Sequence, residues 1–219
     1  MIIIFDLDDT LYREKDFQIG GFKAVSKYLS SLINLSASRI EKRLNEIVKK
    51  DGRGLVFDKF LTENKFYSKS LIKKTILIYR LHKPNIELYR DAKKIIFKLK
   101  KNIYILTDGN KVVQKRKLIA LRLNNKIKKS FITHNYGCKY AKPSMYCFKK
   151  IKETEGVNWN EMMYIGDNPK KDFVNLNKKG VQTVRIMRGP YKFEKAKRKF
   201  DAKFKINNLL EIINIINKN

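Results

Sequence analysis

A chain of 219 residues with 43% apolar content can hold one ordinary domain plus a smaller unit, and it is too rich in core-forming residues to be disordered. No run of about 18 uncharged apolar residues occurs, which argues against a membrane-spanning helix. The N-terminus shows no basic leader or small-residue cleavage site, so the expectation is a cytoplasmic protein with Cys138 and Cys147 as unpaired thiols. Fifty Lys and Arg against 21 Asp and Glu give a net charge of +29. Such a field favours anionic substrates and leaves nucleic acid open as a partner. The lysines are spread along the whole chain, however, and no aromatic-interleaved basic motif accompanies them.

Ile2 to Phe5 reads as a short buried strand that ends on Asp6, Asp8 and Asp9. Carboxylates this close repel one another unless a cation neutralises them, and open α/β sheets bind ligands at strand C-termini. Helical spacing then predicts a helix over 16–33, its start weakened by Gly20-Gly21. Ser38 with Glu41 has the form of a capping box and opens a second helix to about Lys50. Two more helices are expected over 56–61 and 65–81, the second with Phe66, Leu71, Ile72, Thr75, Ile76 and Tyr79 on its apolar side. His82 reads as a packing residue, and Pro84 closes this all-helical block.

Strand and helix alternate thereafter. Helices are expected over 87–101, 111–121, 144–155 and 171–179, with Gly180 as a C-terminal stop, and strands over 103–106, 129–133, 162–165, 181–186 and 204–206. Residues 191–205 read as a basic loop with a short helix, and Asn208 opens a terminal amphipathic helix. The pattern predicts a doubly wound, mostly parallel α/β sheet built from 1–13 and 84–219, with 14–83 as a helical insertion.

Three strand ends carry polar groups: Asp6, Asp8 and Asp9 on the first, Thr107 and Asp108 on the second, and Asp167 followed by Asp172 on a later one. All should meet at one sheet edge, with Lys142-Pro143 between them. Carboxylates, a hydroxyl and an ammonium together suit a phosphate and Mg²⁺, a hard cation that takes oxygen ligands. Asp9 is expected to shape its loop rather than react.

In order, Asp6-Leu7-Asp8-Asp9-Thr10-Leu11, Ile105-Leu106-Thr107-Asp108-Gly109, Lys142-Pro143 and Gly166-Asp167-Asn168-Pro169-Lys170-Lys171-Asp172 resemble the four motifs of the haloacid dehalogenase-like hydrolase superfamily. The resemblance spans the chain, because 14–83 looks like that family's helical cap, which closes over the site and excludes water. It implies Asp6 as nucleophile and Asp8 as general acid and base. It implies Thr107, the Asp108 backbone and Lys142 as phosphate-binding groups. Asp6, the Asp8 carbonyl and Asp167 would bind Mg²⁺, and Asp172 would support the metal site or Lys142. The dehalogenase branch lacks the second acid and the metal, so the pairing of Asp8 with Asp167 points to a phosphatase. The expected substrate is a small phosphomonoester: a sugar phosphate, a phosphoglycolate-like acid or a nucleoside monophosphate. A phosphosugar mutase and a polynucleotide end-processing phosphatase or nucleic-acid-binding protein are the alternatives. The sequence does not fix the oligomeric state.

Overall fold

The computed structural model describes residues 1–99 and 103–217, and the chain divides into two compact units: Met1–Glu14 with Ile86–Asn219, and Lys15–Asn85. The second unit is helical. Helices α1 (Glu14–Ser30), α2 (Ala37–Asp51), α3 (Val56–Glu63) and α4 (Lys69–Leu81) bury a core that includes Phe22, Val25, Leu29, Leu44, Phe57, Phe60 and Ile72. Three local expectations change. Gly20 and Gly21 lie inside α1, where the Tyr79 and His82 rings press on them; a Cβ at Gly21 would meet the Tyr79 ring at 2.5 Å. The cap of α2 is Ser36, whose hydroxyl accepts from the Arg39 N–H, and Ser38 only bonds to Ser36. Helix α4 starts behind Ser68, whose hydroxyl accepts from the Leu71 N–H. That local bond beats the apolar periodicity that extended the expected helix back to 65, so Phe66 precedes the helix and is exposed.

The first unit is a doubly wound α/β structure. Among the described residues, β1 (Ile2–Phe5), β2 (Ile103–Thr107), β3 (Lys129–Ile132), β4 (Met162–Gly166), β5 (Gln182–Ile186) and β6 (Phe204–Ile206) form one sheet in the order β3-β2-β1-β4-β5-β6, parallel throughout. Strands β1, β2 and β4 are buried on both faces, which explains their unbroken apolar runs. On one face Ile2 and Ile4 join Tyr104, Leu106, Met162 and Tyr164, packed against Phe148 and Ile151 of a helix over Tyr146–Glu155. Ile3 and Phe5 alternate to the other face and are equally buried. The chain leaves β1 toward β2 on one side and returns to β4 on the other. The strand order therefore switches at β1, and the crevice at such a switch is where open α/β sheets bind ligands.

The flanking helices are shorter than periodicity suggests. Helix α5 is Arg90–Lys98, because Leu88 instead bridges to Tyr12; the expected end at Lys101 lies outside the described residues. Helix α6 is Lys111–Ala120 and α7 is Tyr146–Glu155, two residues later than expected. Helix α8 is only Val174–Lys178, because residues 168–172 turn back so that the Asp172 N–H reaches the Asn168 carbonyl at 3.0 Å. The short helix expected within 191–205 is replaced by turns. Arg185, fully buried in β5, donates to the carbonyls of Tyr191 and Glu194 and pairs with Asp201 at 3.1 Å, so its guanidinium sets the path of that segment. The final stretch is a 3₁₀ turn over Leu209–Glu211, closed by an Asn208–Glu211 capping box, then α9 (Ile212–Ile216).

Candidate active site

Strand β1 sits between β2 and β4, so the residue after its last position is flanked by the ends of both neighbours. That residue is Asp6, whose N–H donates to the Ile165 carbonyl at 2.8 Å and continues the ladder. Asp6, Asp167 and Asp172 are buried, and each offers a carboxylate oxygen within 4.8 Å of the others. The Lys142 ammonium enters this group from the loop before α7. It stands 2.7 Å from Asp6 Oδ1, 2.8 Å from Asp172 Oδ1 and 2.8 Å from the Tyr164 hydroxyl. Asp172 is committed through both oxygens, because Oδ2 accepts from the Asn168 N–H at 2.9 Å. Gly166 permits this approach: a Cβ there would lie 2.5 Å from Asp172 Oδ2.

One ammonium does not balance three buried carboxylates. Burial, only partly offset by Lys142 and aggravated by Asp172, pushes Asp6 up to about 7. Burial and repulsion from Asp6, Asp172 and Asp9 push Asp167 up to about 9. Burial works against the Lys142 charge, yet the surrounding carboxylates hold its pKa well above the ordinary lysine value. A site of oxygen donors still short of positive charge is the donor set that a hard divalent cation fits, with Asp167 and the Asp6 oxygen turned away from Lys142 as the donors on offer.

Asp8 points elsewhere. Its Oδ1 accepts from Lys117 Nζ at 2.7 Å and from the Tyr12 hydroxyl, and its Oδ2 accepts from Gln114 Nε2 at 2.8 Å. Burial alone would raise Asp8, but the Lys117 charge and these bonds hold it below the ordinary carboxylate value. Gln114 Nε2 also reaches the Thr107 hydroxyl at 2.6 Å. The Asp108 carboxylate ties the neighbouring loops together, accepting from Thr133 Oγ1 at 2.9 Å, the Lys142 N–H at 3.0 Å and Lys171 Nζ at 2.7 Å. Asp9 adopts a left-handed backbone (φ 53°) and accepts from the Glu14 N–H at 3.0 Å, so it shapes the turn after β1.

The structure places the residues read from strand ends and motifs in two groups, Asp6, Asp108, Lys142 and Asp172 joined through Lys142 with Asp167 beside them, and Asp8 joined to Thr107 through Gln114; strand ends and motifs miss Tyr12, Gln114, Lys117, Tyr164 and Lys171. Gln114 and Lys117 carry a signal in hindsight: both fall on the buried stripe of α6 with Leu118. A polar residue on an apolar stripe needs a partner. Tyr164, inside an apolar strand, also needs a partner for its hydroxyl.

A family model for haloacid dehalogenase-like hydrolases matches residues 3–186, and the chain belongs to that family. It is 28% identical over 222 residues to the glyceraldehyde 3-phosphate phosphatase of Methanocaldococcus jannaschii, covering 98% of this chain and 96% of that one. It is 26% identical to the enzyme of the same name from Pyrococcus furiosus, covering 99% and 93%. Among solved structures, the HAD hydrolase YfnB of Bacillus subtilis, bound to magnesium, superposes with a TM-score of 0.72 at 18% identity, covering 98% of this chain and 97% of that one. The HAD phosphatase of Thermococcus onnurineus superposes with a TM-score of 0.62 at 19% identity, with the same coverage.

Proposed function

We propose that this chain is a Mg²⁺-dependent phosphatase of small phosphomonoesters that works through an aspartyl-phosphate. The observation that carries the reading is the setting of Asp6: a carboxylate at the end of the central strand, 2.7 Å from Lys142 and clustered with Asp167. An Asp6 oxygen attacks phosphorus, and the bond from phosphorus to the leaving oxygen breaks. Asp8 gives that oxygen its proton, then accepts one from the water that attacks the aspartyl-phosphate and releases inorganic phosphate. At rest Asp8 is ionised; the negative charge of an incoming phosphate raises its proton affinity for the first step. Lys142 neutralises Asp6 and the phosphoryl oxygens, while Thr107 and the Asp108 backbone hold those oxygens. Asp172 holds Lys142 in place. Asp6, the Asp8 carbonyl and Asp167 would hold Mg²⁺, which when bound supplies positive charge to the phosphoryl oxygens.

The helical unit Lys15–Asn85 is assigned here as the cap that selects the substrate. The activity for which the chain's relatives are named, and a match over nearly their whole length, make glyceraldehyde 3-phosphate the first substrate to test, and the net charge of +29 suits an anion of this kind. A cytoplasmic location fits a phosphorylated metabolite as substrate. The test is phosphate release from glyceraldehyde 3-phosphate, phosphoglycolate, sugar phosphates and nucleoside monophosphates, each with Mg²⁺ and with chelator. The reading expects release from at least one of them, abolished by chelation. Release unchanged in chelator would remove the metal from the scheme.

A further inference from the structure

Helix α6 carries four cationic residues, of which Lys111 and Lys115 are exposed and Arg116 is half-buried. Lys117 is buried. It is 3% exposed, and its Nζ lies 2.7 Å from Asp8 Oδ1 and 3.9 Å from Glu14. One turn earlier Gln114, 1% exposed, uses one amide nitrogen to reach both Asp8 Oδ2 (2.8 Å) and Thr107 Oγ1 (2.6 Å). With Tyr12 on Oδ1, both oxygens of Asp8 are held by side chains of the chain itself. Burying a lysine and a glutamine side by side is unfavourable unless each is paired, and each of the two has a bond to Asp8.

We propose that Gln114 and Lys117 are positioning residues. They fix the Asp8 carboxylate in one orientation, and Gln114 locks it to the Thr107 hydroxyl so that the proton-transfer group and the phosphate-binding group move as one body. This assignment rests on the phosphatase reading above. Asp8 sits on the loop after β1 and Thr107 ends β2, and Gln114 is the side chain that bonds to both. The pair therefore sets the distance between the phosphoryl group and the acid that protonates the leaving oxygen. Small errors in that distance cost a large part of the gain from general acid catalysis.

The test exploits leaving-group chemistry. An alkyl phosphate such as glyceraldehyde 3-phosphate expels a poor leaving group that needs the proton. Para-nitrophenyl phosphate expels a stable phenolate that scarcely does. For Gln114→Leu, which removes no charge, kcat/KM on the alkyl ester should fall about 10-fold or more, while kcat/KM on the aryl ester falls less than about 3-fold. Lys117→Met should show the same skew, and Lys117→Arg should recover part of it. Melting curves of each variant identify any that fail to fold, in which case Gln114→Leu alone decides. Equal loss on both esters, or no loss on either, overturns the proposal, because a merely structural defect would not distinguish leaving groups. If the wild type hydrolyses neither ester, the phosphatase reading itself falls and this assignment with it; hydrolysis of both by the wild type keeps the two questions separate.

Discussion

Lys142 shows how one side chain can bind a site together. Its ammonium lies within 2.8 Å of two buried carboxylates and a buried tyrosine hydroxyl, and its own N–H donates to Asp108. Removing one partner of a buried ionic group leaves the others uncompensated, at a cost of about 3–5 kcal/mol. Lys142→Met should therefore lower stability by about 3 kcal/mol in a denaturant titration without metal. Mg²⁺ should restore part of the loss, because a divalent cation shields the same carboxylates. Lys142 was legible only through its place beside Pro143 and between motifs, since a lysine in a chain with 50 Lys and Arg carries no signal alone. The carboxylates at strand ends are more legible, having little structural use there. What one sequence cannot show is which residue of a distant helix faces them. Gln114, Lys117 and Lys171 carry no local pattern that sets them apart, and only the fold brings α6 and the 168–172 turn against Asp8 and Asp108.

At the scale of elements, the strands are legible nearly to the residue, because β1, β2 and β4 are apolar on both faces and bounded by polar turns. Helix limits are less so, because they depend on single hydrogen bonds. Ser36 caps α2 where the Ser38–Glu41 spacing pointed two residues further on. Ser36→Ala should cost about 1 kcal/mol, against about 0.5 kcal/mol or less for Ser38→Ala, as measured by thermal melts. A reversed order would return the cap to Ser38. The shortness of α8 has a tertiary cause: residues 168–172 are held in a turn that delivers Asp172 to Lys142. Gly166→Ala tests that delivery. Its Cβ would sit 2.5 Å from Asp172 Oδ2, so Asp172 must shift and release Lys142. Activity should drop about 10-fold or more while the protein stays folded, since overpacking of this kind typically costs about 1–3 kcal/mol. Full activity in this variant would show that the Asp172–Lys142 contact is dispensable.

At the scale of the whole molecule, the crowded carboxylates tie stability to pH. Asp6 is pushed up to about 7 and Asp167 up to about 9, so the folded chain keeps protons that the unfolded chain has already released. A carboxylate raised on folding favours the folded state less as pH rises. The stability of the metal-free protein should therefore fall from about pH 4 to about pH 9. On the proposed reading Mg²⁺ would bind the deprotonated site, so its affinity should rise over the same range and flatten the dependence. Melting temperatures across pH with and without Mg²⁺ check this; parallel curves would mean that the cation binds away from these residues. The doubly wound sheet itself was legible from the alternation of strand and helix after residue 84. The path of 191–205 was not, because it is set by the buried Arg185 rather than by any local pattern.

On the proposed reading Asp6, paired with Lys142 and clustered with Asp167, is the nucleophile of a phosphatase. The most direct test of that role is inorganic phosphate release from glyceraldehyde 3-phosphate with Mg²⁺ by the wild type and by Asp6→Asn, which keeps the size of the side chain and removes its charge. Multiple turnovers are expected from the wild type and a loss of about 10³-fold or more from Asp6→Asn. Phosphate release by Asp6→Asn at a rate near that of the wild type would contradict that role.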